Sequence, residues 1–212
     1  MLEFKQFQLF INEKALFDPI SMKIDGEIVS IMGASGSGKS SLFMAVLGGL
    51  EDGFSYSGDI ELNGESLLTK SVAQRQIGMM MQDDLLFPHM NVLQNLLFAC
   101  PPTMKKTEKL ELIGQYLINA NMLEFKYAKV QSLSGGQKSR ISALRAVLCQ
   151  PKLVLLDEPF AKLDQSLKDQ FRPWLFNLLL EKNIPVLMVT HDLNDCHQNQ
   201  FYDLEKGALC AR

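Results

Sequence analysis

The stretch Gly33-Ala34-Ser35-Gly36-Ser37-Gly38-Lys39-Ser40-Ser41 constrains this chain more than any other, because it has the phosphate-loop spacing of a glycine, four residues, then Gly-Lys-Ser. Glycines there let successive backbone N–H groups curl inward as an anion nest, a path that a Cβ would obstruct. Lys39 can then reach the β- and γ-phosphates, and the Ser40 hydroxyl is a hard oxygen donor suited to Mg²⁺. The flanks agree with that use. Glu27 to Met32 is a short apolar run that ends at the loop, and Leu42, Phe43, Val46 and Leu47 follow at helical spacing. Strand, loop and helix in that order predict a nucleoside triphosphate with its phosphates at a helix N-terminus.

A second constellation lies downstream. Leu153-Val154-Leu155-Leu156 reads as a buried strand with Asp157 and Glu158 at its C-terminal end, where parallel sheets bind ligands. Asp157 fits the carboxylate that holds Mg²⁺ in phosphate-loop hydrolases, and Glu158 is placed to take a proton from attacking water. His191 ends another apolar run, Ile184 to Thr190. A lone histidine there is either structural or a γ-phosphate contact. Leu133-Ser134-Gly135-Gly136-Gln137 opens a helix, with Ser134 and Gln137 in capping-box positions. Two glycines weaken a first turn by about 1 kcal/mol each relative to alanine. Their use there is close approach of backbone to an anionic ligand, which makes a second phosphate site. One chain rarely wraps both sites around one nucleotide, whereas two chains arranged head to tail could. Phe10 and Phe17, upstream of the loop, are the aromatics available to stack on a base, or else pack within the sheet.

Composition narrows the partners. A net charge of −3 supplies no basic face for nucleic acid or acidic lipid. No apolar run approaches the ~20 residues that cross a bilayer, and Met1-Leu2-Glu3-Phe4-Lys5 does not resemble an export signal. Cys100, Cys149, Cys196 and Cys210 are scattered and read as reduced thiols.

The order of elements predicts an α/β fold. Residues 2–11, Ile20–Ile24, Gly58–Leu62 with an Asn63-Gly64 turn, and Ile77–Met81 read as strands. Residues 85–140 read as helices, one capped by Asn91 and another by Thr107, so this block looks like an inserted lobe. Leu85-Leu86-Phe87 just ahead of it is a candidate docking patch. Pro173 falls inside a later helical pattern and predicts a kink or a restart, and residues 201–209 read as a hairpin.

Taken together, Gly33–Ser41, Gln82, Leu133–Gln137, Leu153–Glu158, Asp164 and His191 resemble the ATPase subunit of an ATP-binding cassette (ABC) transporter along essentially the whole chain. The resemblance implies one ABC ATPase domain over 1–212. Its P-loop NTPase (RecA-like) core, with an N-terminal antiparallel β subdomain, would comprise 1–84 and 141–212, and an inserted α-helical subdomain 85–140. It implies ATP and Mg²⁺ as ligands. Gly33, Ala34, Ser35, Gly36, Ser37, Gly38, Lys39, Ser40 and Ser41 would be the Walker A loop and Phe10 the adenine-stacking aromatic. Ser40, Gln82 and Asp157 would hold the metal. Glu158, His191 and Lys39 would be catalytic. Leu133, Ser134, Gly135, Gly136 and Gln137 would act in trans, with Asp164 communicating across a homodimer. A membrane permease would dock near Gln82–Phe87 on the cytoplasmic face of the inner membrane, with a periplasmic or lipid-anchored solute-binding protein beyond it and no nucleic acid involved. Ala161-Lys162-Leu163-Asp164 departs from the family's usual Ser-Ala-Leu-Asp, and Ser41 stands where threonine is usual. The segment Leu86 to Val92 is similar to that of bacterial binding-protein-dependent importers. The alternatives that share the catalytic residues are an exporter or lipoprotein-release subunit and, further off, a nucleic-acid-associated ATPase.

Overall fold

Alternation along three short strands sets the architecture. β4 (Ile28–Met32), β8 (Leu153–Asp157) and β9 (Val186–Val189) are buried on both faces. Ile31, Leu153, Leu155, Leu187 and Val189 enter one hydrophobic cluster, while Ile28, Val154, Leu156, Val186 and Met188 enter the other. Side chains of a strand point alternately to opposite faces, so a single sheet carries both cores. The computed structural model describes residues 1–211, and the side chains of all these but 199, 200 and 211; residue 212, the last of the expected domain, lies outside the described residues.

The central sheet runs β11 (Ala208–Ala211), β10 (Gln200–Asp203), β4, β9, β8 and β7 (Ile77–Met80), with every pair parallel except the terminal hairpin. On one side lies an antiparallel sheet of β1 (Leu2–Ile11), β2 (Lys14–Ala15), β3 (Ile20–Ile24), β5 (Phe54–Leu62) and β6 (Glu65–Ser66). The helix α1 (Lys39–Leu47) contributes Leu42, Phe43, Ala45 and Val46 to the core between the two sheets. On the other side pack α3 (Val92–Ala99), α4 (Lys106–Asn119), α5 (Gly135–Leu148) and α6 (Gln165–Leu180). The α/β architecture read from the sequence is therefore present.

Local details differ from expectation in three places. The α4 cap is Lys105, whose N–H is accepted by Glu108 at 3.2 Å, so Thr107 sits inside the first turn. Helix α6 runs through Pro173 without a restart, since tertiary packing of Phe171, Leu175, Phe176, Leu178 and Leu179 outweighs one lost backbone bond. The expected lobe boundary at 140 falls within α5, a continuous helix that touches both α3 and β7.

The short helix α2 (Val72–Arg75) has a structural task that sequence alone did not disclose. Arg75 is buried, and its guanidinium donates to Ala45 O, Val46 O and Lys70 O at 2.6, 2.7 and 3.1 Å. It thereby satisfies carbonyls in the last turn of the phosphate-loop helix, which have no intrahelical partner. Arg75→Met keeps the stem and removes the donors, leaving buried acceptors unmet at a cost of about 2 kcal/mol. The expected fall in Tm is about 4–8 °C for a domain of this size, by calorimetry. A Tm within 1 °C of the parent would mean that water serves those carbonyls equally well.

Candidate active site

The parallel strands deliver their chemistry to one edge. β4 ends just before Gly33, β7 just before Gln82, β8 at Asp157 and β9 just before His191. A cleft of about 580 Å³ opens there, lined by Gly33, Ser35, Gly36, Gly38, Lys39, Ser40, Ser41, Gln82, Glu158 and His191 together with Ile11, Leu16 and Phe54. Among the residues expected at a nucleotide site, the structure thus assembles the phosphate loop, the glutamine, the glutamate and the histidine, which are scattered through the sequence.

The loop's geometry follows from its glycines and one aromatic. Gly38 has φ of +93°, and a Cβ added there would lie 3.0 Å from the Phe17 ring. Phe17, 7% exposed, is therefore a floor beneath the loop. Lys39 Nζ donates to Gly33 O and Ala34 O, both at 2.7 Å, and so folds back over the loop. The N-cap of α1 is Gly38 and carries no side-chain bond, which leaves first-turn amides available to an anion. From the far side, Glu205 accepts from Ala34 N at 2.8 Å.

Glu158 and His191 meet. His191 Nδ1 lies 3.0 Å from Glu158 Oε2, and the two strands are stitched at this level by Glu158 N donating to Val189 O at 2.9 Å. The Asp157 carboxyl is pushed above the usual carboxylate range by burial first and by the Glu158 charge beside it. No cation or hydrogen-bond donor among the described residues offsets these two effects. An acid left half-buried without a partner, at the strand end next to the Ser40 and Gln82 cleft, fits a divalent-cation ligand.

The signature stretch stands apart. Ser134 Oγ accepts from Gln137 N at 3.3 Å, and Gln137 Oε1 accepts from Ser134 N at 2.9 Å, so the capping box is formed. The two glycines divide their work. Gly135 has nothing within 4 Å of an added Cβ, whereas Gly136 would meet Leu167 of α6 at 3.2 Å and serves packing. None of Leu133, Ser134, Gly135, Gly136 or Gln137 lines the cleft. Asp164 caps α6, accepting from Leu167 N at 2.9 Å.

Phe10 does not line the cleft either. It precedes Ile11 in β1, and neighbours in a strand face opposite ways, so Ile11, with Leu16 and Phe54, presents the apolar surface instead. Nothing in the sequence marks Phe54, because it reaches the cleft only through the pairing of β5 with β1.

The loop after Gln82 is anchored to α5. Ser142 Oγ and Arg145 Nη2 donate to Asp84 O at 3.2 and 3.3 Å, and Arg145 Nη1 donates to Leu85 O at 2.8 Å. Burial raises the Asp84 carboxyl above its usual range. Asp83 pairs with Lys162, one of the two residues, with Ala161, that depart from the expected Ser-Ala-Leu-Asp. Asn95, fully buried, accepts from Phe87 N at 2.9 Å and donates to Phe87 O, Met90 O and Asn91 O at 3.2, 3.3 and 3.1 Å. Leu85 is 56% and Phe98 66% exposed, and the Phe98 ring packs edge-on to Phe87 at 4.9 Å.

Residues 17–161 match the ABC transporter family. The chain is 42% identical over 196 residues to the uncharacterized ABC transporter ATP-binding protein YnjD of Escherichia coli K12, covering 92% of this chain and 90% of that one. This chain belongs to the ABC transporter family. It is an ATP-hydrolysing subunit of the ABC type. A sulfate/thiosulfate import ATP-binding protein, CysA of Bradyrhizobium diazoefficiens, is 34% identical over 92% of this chain and 58% of its own length. The thiamine import protein ThiQ of Photobacterium profundum is 36% identical over 84% of this chain and 73% of its own. Among solved structures, cbiO1 of Clostridium perfringens superposes with a TM-score of 0.84 at 26% identity over 99% of this chain and 86% of that one. A dimeric bacterial ABC transporter cassette gives 0.76 at 26% identity, over 98% of this chain and 95% of that one. No helix among the described residues of this ABC ATPase is long and apolar enough to cross a membrane.

Proposed function

We propose that two copies of this chain sandwich two ATP molecules and that their closure drives solute uptake through a membrane permease. The observation that carries the reading is a separation: the cleft gathers Lys39, Ser40, Gln82, Glu158 and His191, while Ser134–Gln137 lies outside it. A second copy presenting its α5 N-terminus would supply the missing amides to the γ-phosphate, with the open face of Gly135 allowing close approach. Gly33–Ser41 cradles the phosphates, and Lys39 exchanges its two loop carbonyls for phosphate oxygens. Glu158 takes the proton of the attacking water, and His191 contacts the γ-phosphate. Ser40, Gln82 and Asp157 would hold Mg²⁺, which when bound neutralises charge on the phosphate oxygens.

Uptake rather than export is supported by the relatives, whose names include sulfate/thiosulfate and thiamine import proteins. A permease loop would dock beside Gln82–Phe87, where Leu85 and Phe98 are exposed, and a solute-binding protein would deliver cargo from the other side of the membrane. The subunit would then work on the cytoplasmic face. Hydrolysis would reopen the sandwich and release the lobe that α5 ties to the Gln82 loop.

The arrangement is tested by linking thiols. Ser35→Cys and Gly135→Cys, introduced in a chain whose four cysteines are replaced by serine or alanine, should be joined by a short bifunctional thiol reagent between separate chains. Cross-linked dimers should form with ATP when turnover is blocked and be absent without nucleotide. Links formed only within single chains would overturn the sandwich.

A further inference from the structure

The strand bond from Glu158 N to Val189 O sets where the two loops begin, and α6 packs behind them. One α6 side chain reaches behind both. The Arg172 guanidinium lies 5.5 Å from the centroid of the Phe160 ring, two residues beyond Glu158. It also donates to the carboxylate of Asp195, in the turn that follows His191. Asp195 is only 3% exposed. Lys168, one turn earlier on the helix, stands 3.5 Å from Asp195 and 3.5 Å from Asp192, the residue next to His191. Phe160 is wedged between Phe171 and Phe176 of α6, each ring 5.8 Å away. A buried carboxylate facing two cations keeps one geometry, since displacement would leave a desolvated charge unpaired. Arg172 Nε is itself buried with no partner among the described residues, so the guanidinium is oriented by Asp195 and Phe160 alone.

We propose that Arg172 is a positioning residue for hydrolysis: through Phe160 and Asp195 it holds Glu158 and His191 at their 3.0 Å contact. Lys168 steadies the same turn through Asp192. The side chains that face the water and phosphate are thus set by a shell behind them, which is where a small displacement is costly. Because Asp164 caps α6, movement of this helix on dimer closure would reach both catalytic loops, with Arg172 touching both. The inference rests on the roles given above to Glu158 and His191, and its test separates the two.

ATP hydrolysis by the full chain is measured for Arg172→Gln, Arg172→Lys, Lys168→Met and His191→Ala, with a Tm for each. Arg172→Gln is expected to lower kcat by about 10²-fold, the scale of a misplacement of about 1 Å, with KM for ATP within about threefold. Arg172→Lys retains a cation for Asp195 and should return kcat most of the way. Lys168→Met should move kcat in the same direction by less. A folded Arg172→Gln protein with parental kcat, or one in which KM rises while kcat holds, overturns the inference. If Arg172→Gln does not fold, Lys168→Met decides, and an unchanged kcat there overturns it. Full activity in His191→Ala would instead remove the role of the histidine, and the positioning with it. A loss in His191→Ala with none in Arg172→Gln overturns the positioning alone.

Discussion

Glu158→Gln is expected to hydrolyse ATP about 10²–10⁴-fold more slowly than the parent while binding it as well, the range associated with removal of a general base. In barrier terms that is about 3–5 kcal/mol, since each tenfold in rate is about 1.4 kcal/mol. The substitution isolates the base for structural reasons. Glutamine is isosteric, retains an oxygen to face His191 Nδ1, and meets the same backbone requirement at φ of +46°. The side chain forms no other pair among the described residues, so little stability rides on its charge. One electrostatic consequence does follow: Asp157 loses the neighbouring charge that, after burial, pushes its carboxyl upward. With ATP present the variant should therefore accumulate as a dimer, read by light scattering, and single-turnover assays should show the slowed step. Hydrolysis at the parental rate would remove Glu158 from the role of base, and dimers that form equally without nucleotide would separate assembly from ATP.

The second large effect concerns a glycine in the middle of a strand. A Cβ at Gly78 would lie 2.1 Å from Ala146 O and 3.1 Å from Pro151 Cγ. The obstacle is the backbone of α5, which cannot swing aside as a side-chain tip can. Gly78→Ala must therefore lift α5 off β7, at a cost of about 3 kcal/mol, the upper part of the usual range for overpacking. At 2–4 °C per kcal/mol, Tm should fall by about 6–12 °C. The same exchange at Gly114 has the opposite sign. That residue lies within α4, and an added Cβ would meet nothing within 4 Å, so alanine should stabilise by up to about 1 kcal/mol. Calorimetry of the pair tests the packing directly. A Gly78→Ala protein melting within 2 °C of the parent would mean that helix and strand are not so closely apposed. Because α5 also carries Ser134 at its start and holds the Gln82 loop through Arg145, the lifted helix should weaken ATP-driven dimerisation as well.

Local chemistry was legible in the sequence wherever the backbone or a short spacing dictates it. The phosphate loop between strand and helix, the acids ending β8, the box of Asn91 with Gln94 and that of Ser134 with Gln137 are each decided within a few residues. The α/β class follows from the same local patterns, because four-residue apolar runs and helical spacing do not depend on distant partners. What lay beyond the sequence is contact between segments far apart in the chain. Phe10 and Ile11 are both apolar, and only the register of β1 against β5 decides which of them fronts the cleft. Gly135 and Gly136 look equivalent until Leu167 is packed against one of them. Arg75 and Arg172 carry no motif. Each matters through what it meets, carbonyls of α1 in one case and the Phe160 and Asp195 side chains in the other, and such meetings are set by how helices settle on a sheet. Spacing along the chain fixes which groups are available for phosphate chemistry; close packing in three dimensions fixes which of them stand together.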